Sequence, residues 1–134
     1  SRQALKEMQV NEYRFQGNEG ESVPKTVQKL IVNPGIQVLP DYLCFRYGLL
    51  REVNLPEGLI KIGVMAFFWC KCLLEINICS TIESIGYGAF QGCELLTKAE
   101  FELSSSSSHQ LKTIGGHAFH YCLSLQRIKI PSSV

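Results

Sequence analysis

Residues 62–84 read IGVMAFFWCKCLLEINICSTIES, and the order of small, aromatic, cysteine and aliphatic residues in this stretch returns on both sides of it. The order restarts at Ile85 and at Ile114, and a weaker version runs from Leu39 to Ile62. The first two intervals span about 23 residues each, and self-similarity at such a period is typical of stacked repeats. We number the copies first to fourth by their opening residues, which are Leu39, Ile62, Ile85 and Ile114.

Several positions after the opening residue keep one kind of side chain in most copies. In order these columns are glycine (Gly63, Gly86, Gly115), alanine (Ala66, Ala89, Ala118), phenylalanine (Phe67, Phe90, Phe119), cysteine (Cys70, Cys93, Cys122) and leucine (Leu50, Leu73, Leu96, Leu125). The first copy departs from these columns at Pro40, Leu43, Cys44 and Tyr47. One copy alone cannot bury its apolar face, so each column is predicted to stack on the same column of the neighbouring copy.

The later part of each copy has the pattern of a short strand. Ile76 and Ile78 are separated by one polar residue, and alternate residues of a strand point to opposite faces. Both isoleucines are therefore predicted to point inward, and parallel stacking would place successive strands roughly 4.8 Å apart. Pro56 and Pro131 close two of the strands, because proline has no N–H for the ladder.

The full motif, Ile-Gly-x-x-Ala-Phe-x-x-Cys-x-x-Leu-x-x-Ile-x-Ile-Pro-x-x-Val, resembles the BspA-like leucine-rich repeats of bacterial surface and secreted proteins and of many proteins of microbial eukaryotes. The resemblance covers residues 27–134 and is strongest in 62–103 and 114–134. We predict a repeat solenoid, a right-handed leucine-rich-repeat coil with a ladder of short parallel strands on one side and loops or short helical turns on the other. The resemblance also implies a binding or adhesion role.

Residues 1–26 lie outside the repeat. They are predicted to form an N-terminal cap over the first coil, since solenoids need such covers, and a separate N-terminal module is the alternative. Ala4–Val10 could form a short helical turn, and the alternation in Asn11–Gln16 predicts a strand. Residues 27–134 are predicted to be the solenoid, with about four coils.

The third copy is longer than its neighbours and carries an insertion at 102–110. Its serine run, residues 104–108, predicts a flexible tolerated loop, while a contact loop or modification site is the alternative. The chain begins at Ser1 and ends within a repeat at Val134. We therefore expect a solenoid truncated at its C-terminus, as in a fragment of a longer repeat protein.

Composition narrows the classes of partner. Lys and Arg number 13 against 12 Asp and Glu, so the charge balance does not favour nucleic acid. The sequence has no apolar run of the length needed to cross a bilayer, and no membrane insertion of this segment is expected. Location stays open: the resemblance implies the cell surface or secretion, whereas buried cysteines also suit a reducing cytosol.

The cysteine pattern does not predict a metal site. Cys70 and Cys72 lack zinc-ligand spacing, and no second close pair completes four ligands. The cysteine column is predicted to hold buried free thiols, which behave as small apolar groups. Cys72 is expected to be the most accessible thiol, and its reactivity is the one to measure.

No catalytic constellation is evident. Nothing in the sequence places a nucleophile or acid beside His109, His117 or His120, so all three are predicted to be solvated surface residues. Phosphate-binding glycine loops and paired-carboxylate motifs do not appear either. The chain is therefore predicted not to be an enzyme and to need no cofactor.

Two surfaces are candidates for binding. The first is the outward face of the strand ladder, where charge changes from acidic to basic along the coil; its residues are Glu52, Asn54, Glu75, Asn77, Lys98, Glu100, Arg127 and Lys129. The alternative is a solvated face whose opposite charges relieve one another between coils, as Glu75 beside Lys98 would. The second surface is a possible apolar contact patch formed by Phe45, Phe68 and Trp69, and here the alternative is that the rings fold back over neighbouring coils.

The predicted function is non-catalytic recognition of another protein or a surface glycan through the ladder face. The alternative from another class is a structural spacer or scaffold within a larger multi-domain protein.

Overall fold

The computed structural model describes residues 10–106 and 108–134, so the predicted turn at Ala4–Val10 lies almost wholly outside the described residues. Within the described residues the chain forms nine short strands. They are β1 (Glu12–Phe15), β2 (Lys29–Val32), β3 (Val38–Leu39), β4 (Glu52–Asn54), β5 (Lys61–Ile62), β6 (Glu75–Ile78), β7 (Ser84–Ile85), β8 (Lys98–Phe101) and β9 (Thr113–Ile114). Every strand pair is parallel, as expected when each coil lies on the next.

The longer strands form the front ladder, which has two parts. β1, β2 and β4 form a three-stranded sheet, and β6 and β8 form a two-stranded sheet. Ile76 and Ile78 are buried while Glu75 and Asn77 are exposed, so the predicted alternation along β6 is confirmed. Ile76 lies opposite Ala99 in the register of β6 and β8, which keeps the inward column continuous between the two copies.

The two-residue strands form the back ladder, in the order β3-β5-β7-β9. This sheet pairs the four opening residues in one column, Leu39 with Ile62, Ile62 with Ile85, and Ile85 with Ile114. The sequence pattern predicted the column but not its strands, because two residues are too short to show an alternation.

The core between the ladders is built from the predicted columns. Phe67 and Phe90 are fully buried and stack with ring centroids 5.5 Å apart, and Phe90 stacks on Phe119 at 5.4 Å. Ala66 and Ala89 are also fully buried. The fold class predicted from the repeat is confirmed.

The N-terminal region continues the front ladder. β1 pairs with β2 over four residues, with Phe15 opposite Val32, so one more strand precedes the solenoid that was predicted to begin at Val27. Val23 and Val27 are buried beneath it. We propose that residues 1–26 act as the N-terminal cap, and the pairing of β1 supports that role for their described part.

The front ladder is interrupted at two places where the repeat pattern predicts continuity. Between β4 and β6, Glu52 and Glu75 occupy the same repeat position, and like charges on neighbouring strands oppose pairing. Beyond β8, residues 126–131 run without strand structure. There Phe101 takes the position of a smaller aliphatic residue and packs edge-on against His109 of the insertion, with centroids 5.8 Å apart. Local packing thus overrides the repeat.

Candidate functional site

The front ladder presents all eight predicted ladder residues to solvent. Successive strands place side chains in two outward rows: Glu12, Lys29, Glu52, Glu75 and Lys98 in the first, and Arg14, Ile31, Asn54, Asn77 and Glu100 in the second. Arg127 and Lys129 are exposed at the equivalent positions of the fourth copy. Because strand backbones set the spacing, the groups on paired strands have fixed positions relative to one another.

Charges at the N-terminal end of this face partly neutralise one another. The ammonium of Lys29 lies 3.8 Å from the carboxylates of both Glu12 and Glu52. Neither residue was among the predicted ladder residues: Glu12 lies in the segment 1–26 placed outside the repeat, where the alternation in residues 11–16 was the available signal, and Lys29 lies at the very start of the predicted solenoid. The predicted change from acidic to basic therefore applies only from Glu52 onward.

Lys98 is paired along its own strand. Its ammonium lies 2.9 Å from the carboxylate of Glu100, and this hydrogen bond, with the charges of Glu100 and Glu75, raises the pKa of Lys98. Glu75 is opposite Lys98 in the strand register, as predicted, but the direct contact is with Glu100.

Four of the eight predicted residues converge on one hollow. A hollow of about 350 Å³ separates β8 from residues 127–131. Its charged lining residues are Lys98, Glu100, Arg127 and Lys129, and its apolar ones are Ala99, Phe101, Leu103 and Pro131. Glu52 and Glu75 instead border a second hollow of about 330 Å³, at the other interruption of the ladder. The predicted residues thus include an acidic pair beside Arg51 at one interruption and a mainly basic group at the other.

The three predicted patch residues pack on one another. Phe45 and Phe68 are half-buried and stack with centroids 4.9 Å apart and planes 6° from parallel. Trp69 meets Phe68 edge-on at 6.2 Å, and the guanidinium of Arg46 lies 5.8 Å from the Phe45 ring and 6.0 Å from that of Phe68. The patch is therefore a cluster of stacked rings that is partly covered by the guanidinium of Arg46.

Trp69 folds over the next copy and contacts the copy after that. Its ring lies where a Cβ atom at Gly92 would be, so the third copy accommodates it only because residue 92 is glycine. Beyond Gly92, the Trp69 ring lies 6.1 Å from that of Tyr121. Folding of the rings over neighbouring coils was the alternative considered for this patch, but the sequence did not predict the contact with Tyr121 or the exposed rings of Tyr42, Tyr87 and Tyr121 on the same side; the glycine at position 92 was the available signal.

The turns that carry these rings use left-handed backbone at two positions in every copy. The residues with positive φ are Tyr42, Met65, Gly88 and His117 at the first position and Arg46, Trp69, Gly92 and Tyr121 at the second. Most are not glycine, although this conformation disfavours residues with a Cβ atom. Backbone bonds between copies hold several of them, for example from the Trp69 N–H to the Gln91 carbonyl at 2.7 Å.

All six cysteines lie among the described residues and are free thiols; of the column predicted to be buried, Cys70 and Cys93 are buried, whereas Cys122 is half-buried. The column forms a regular series of bonds in which each thiol donates to a carbonyl of the preceding copy, Cys70 to Cys44 at 3.1 Å, Cys93 to Phe67 at 3.3 Å and Cys122 to Phe90 at 3.2 Å. Burial raises the pKa of Cys70 and Cys93 well above the usual value and that of Cys122 to about 11. The column cysteines are therefore held as neutral thiols at neutral pH.

One histidine differs from its prediction. His109 is buried, which corrects the expectation that it is a solvated surface residue. Its Nδ1 accepts the Leu111 N–H at 3.0 Å, so Nε2 carries the proton, and Nε2 lies 3.4 Å from the Ile78 carbonyl. The His109 side chain thus connects the insertion at 102–110 to β6. His117 and His120 are exposed, as predicted.

Within the described ranges 10–106 and 108–134, the His, Cys, Asp and Glu side chains form no group of three or more that could hold a metal ion. The same ranges also contain no helix of the length and apolarity needed to span a bilayer.

Parallel ladders joined by tight turns around stacked apolar columns define a leucine-rich-repeat solenoid. Residues 38–134 match the family described as the BspA type leucine rich repeat region (6 copies), and the chain belongs to this family. The match begins after β2, although β1 and β2 already form the start of the front ladder.

The solved structures that match the chain include two bacterial proteins. A leucine-rich repeat protein from Bacteroides ovatus is 27% identical with a TM-score of 0.72, over 86% of this chain and 30% of that protein. A leucine rich cell surface protein from Faecalibacterium prausnitzii is 16% identical with a TM-score of 0.43, over 75% of this chain and 38% of that protein. The chain thus spans less than half of either protein. No curated protein matches it.

Proposed function

We propose that this chain is a non-catalytic binding module that recognises another protein through the front ladder. The convergence of Lys98, Glu100, Arg127 and Lys129 around one hollow supports this proposal. Solenoids commonly bind partners on extended ladder surfaces, and the family membership favours the same role.

Electrostatics indicate the character of the partner. Within the hollow, Lys98 is paired with Glu100, whereas Arg127 and Lys129 add two exposed positive charges. Charges of one sign on a recognition surface steer an oppositely charged partner and select against like-charged ones. The hollow therefore favours an acidic segment of the partner.

A surface glycan is the second ligand class, and a structural spacer within a larger protein is the alternative role. We also propose a cell-surface or secreted location, which membership of the family supports; an intracellular location is the alternative. Free buried thiols are compatible with both.

The test is binding of the chain to panels of proteins and of surface glycans, followed by charge-matched variants. The variant R127A/K129A removes two positive charges from the front face. The control K61A/K112A removes two exposed positive charges beside the back ladder, one in β5 and one next to β9. We expect the first variant to bind its protein partner about tenfold more weakly and the second to bind normally, with an affinity that falls as salt is added.

Equal loss in both variants would mean that net charge alone drives binding and would contradict a front-face site. If the chain binds only glycans, the partner class is a surface glycan and not a protein. If both panels yield no partner, the spacer role is favoured.

A further inference from the structure

The front ladder has an unpaired edge at β8. On one side β8 pairs with β6 over its full length, from Lys98 to Phe101. On the other side, no backbone hydrogen bond from residues 126–131 reaches β8 within the part of the chain that the structure describes. An edge of this kind offers backbone donors and acceptors to a further strand.

The backbone groups that face this edge can be assigned. The Glu102 N–H, one residue after β8, donates to the Ile78 carbonyl of β6 at 2.8 Å. Alternate residues of a parallel strand face the same neighbour, so Lys98 and Glu100 also direct their backbone groups to β6. Ala99 and Phe101 therefore direct theirs to the open side.

The opening is local to the front of the fourth copy. That copy remains joined to the third through β9 on β7, through the Phe90 N–H on the Ala118 carbonyl at 2.8 Å and through the Ser124 N–H on the Glu94 carbonyl at 3.1 Å. In the segment opposite β8, residues 126–131, the described structure has no such bond between the two copies. The hollow between them, about 350 Å³, is within the roughly 300 to 1,000 Å³ of ligand sites.

The walls of this hollow suit one kind of occupant. Apolar groups of Ala99, Phe101 and Leu103 form part of its lining, and Arg127 and Lys129 line the opposite wall. A strand of alternating residues presents apolar side chains to one face and polar ones to the other. An acidic residue at the polar positions would meet the guanidinium of Arg127 and the ammonium of Lys129.

We propose that the open edge of β8 binds an extended acidic peptide of a partner as an added strand, with backbone bonds to Ala99 and Phe101. This inference rests on the proposed function and specifies its mode: backbone bonds of the added strand supply affinity, and the basic pair selects acidic sequences. The occupant is a partner segment, whereas residues 127–130 of this chain or a second copy of it are the competing occupants.

The probe is a short synthetic peptide of alternating valine and aspartate, with lysine replacing aspartate in the control peptide. Amide hydrogen exchange read by NMR on the intact chain reports each backbone group separately. In the free chain we expect the amides of Ala99 and Phe101 to exchange at least tenfold faster than those of Glu100 and Glu102. The aspartate peptide should slow Ala99 and Phe101 at least tenfold and leave the other two unchanged, while the lysine peptide should have no effect.

Backbone pairing is tested by methylating the peptide instead of altering the protein. N-methyl groups on alternate residues remove the amide hydrogens of one strand edge only. Because one edge of the added strand faces β8, one of the two methylation patterns should abolish binding and the other should retain it. Equal binding of both methylated peptides would overturn strand addition.

Other outcomes assign the edge differently. Slow exchange of Ala99 and Phe101 in the free, dilute chain would show that residues 127–130 close on β8. Slow exchange that appears only as the chain is concentrated would show pairing with a second copy. Either result overturns this inference. The proposed function still stands if R127A/K129A weakens the binding of a protein partner, and it fails separately if that variant binds the partner normally.

Discussion

In the glycine column, single atoms of neighbouring copies lie too close together to leave room for a Cβ atom. A Cβ atom added at Gly86 would lie 2.6 Å from the Val64 nitrogen and 2.7 Å from the Gly63 carbonyl carbon, both in the backbone of the preceding copy. Backbone held by a ladder cannot retreat as a flexible side chain can. Glycine here is thus required by close approach between copies, since its φ is not positive.

We expect Gly86→Ala to lower the free energy of unfolding by about 1–3 kcal/mol, as overpacking of a dense core does. Urea unfolding followed by circular dichroism measures the change. Gly48→Ala is the matched control, because its new Cβ would have only the Lys71 side chain within 4 Å, at 3.6 Å. Equal destabilisation of the two variants would contradict the close-approach argument.

Thiol reactivity should follow position within the coil. At neutral pH in the native chain we expect labelling of the half-buried Cys72, whereas the buried Cys70 and Cys93 should react only after unfolding. The pKa of Cys122 is raised to about 11, so its labelling should be slow near pH 8 and accelerate as the pH approaches 11. Mass spectrometry of native and urea-unfolded samples reads each site, and rapid native labelling of Cys93 would refute the buried column.

Residue identities within the columns were predictable from the sequence, because a column repeats the same environment in every copy. Phe67, Phe90 and Cys93 lie where the pattern placed them. His109 was not predictable, since it belongs to an insertion that occurs once and its partners, Leu111 and Ile78, are set by tertiary contact. A repeat pattern carries no information about a residue without equivalents.

At the scale of elements, the turn after β1 is closed by one carboxylate. Glu21 accepts hydrogen bonds from the Tyr13 hydroxyl at 2.7 Å and from the backbone N–H groups of Gln16 and Asn18. The bond from Tyr13 is the largest cause that lowers the pKa of Glu21. The ionised form is thus favoured in the folded state.

The pH dependence follows from the sign of this shift. The pKa of Glu21 in the folded state lies below the usual 4.5. The ionised carboxylate therefore stabilises the fold at pH values above 4.5, and this stabilisation is lost as the pH falls through the lower, folded-state pKa. We expect Glu21→Gln to melt below the native chain at pH 7 and the gap to narrow at lower pH. The control Glu19→Gln, at an exposed position, should melt with the native chain throughout. A gap that is constant with pH would refute the role of the charge.

The strands were predictable to different degrees. β6 has four residues in clear alternation and was predicted with its inward pair, Ile76 and Ile78. The interruptions of the front ladder were not predicted: the sequence places Glu52 and Glu75 at one repeat position, but the lost pairing beyond β8 depends on the contact of Phe101 with His109 of the insertion. The same holds for the candidate site: its residues were predicted from the sequence, but the grouping of six of them around two separate hollows was not.

At the scale of the whole molecule, Trp69 links copies that are not neighbours. It is the single tryptophan of the chain, and its ring reaches Tyr121 across Gly92. Stacked repeats otherwise contact only adjacent copies. The emission of Trp69 therefore reports on the docking of three successive copies.

We expect Gly92→Ala to displace the Trp69 ring, which should shift its emission to the red and increase quenching by acrylamide. Gly35→Ala is the matched control: both glycines have positive φ, so each substitution should cost about 1–2 kcal/mol in backbone strain, but the Cβ of residue 35 meets nothing within 4 Å. Unchanged quenching in Gly92→Ala would mean that the ring does not depend on the space at this position.

The ladders also determine how the molecule responds to force. Backbone bonds between copies join strands of successive coils, so they run along the axis on which the coils stack. Tension applied between the first and last copies pulls on these bonds lengthwise and on one interface at a time, instead of shearing many together. The chain therefore extends in steps as coils peel apart, and the two interfaces at which the front ladder is interrupted, between β4 and β6 and beyond β8, are the first to yield.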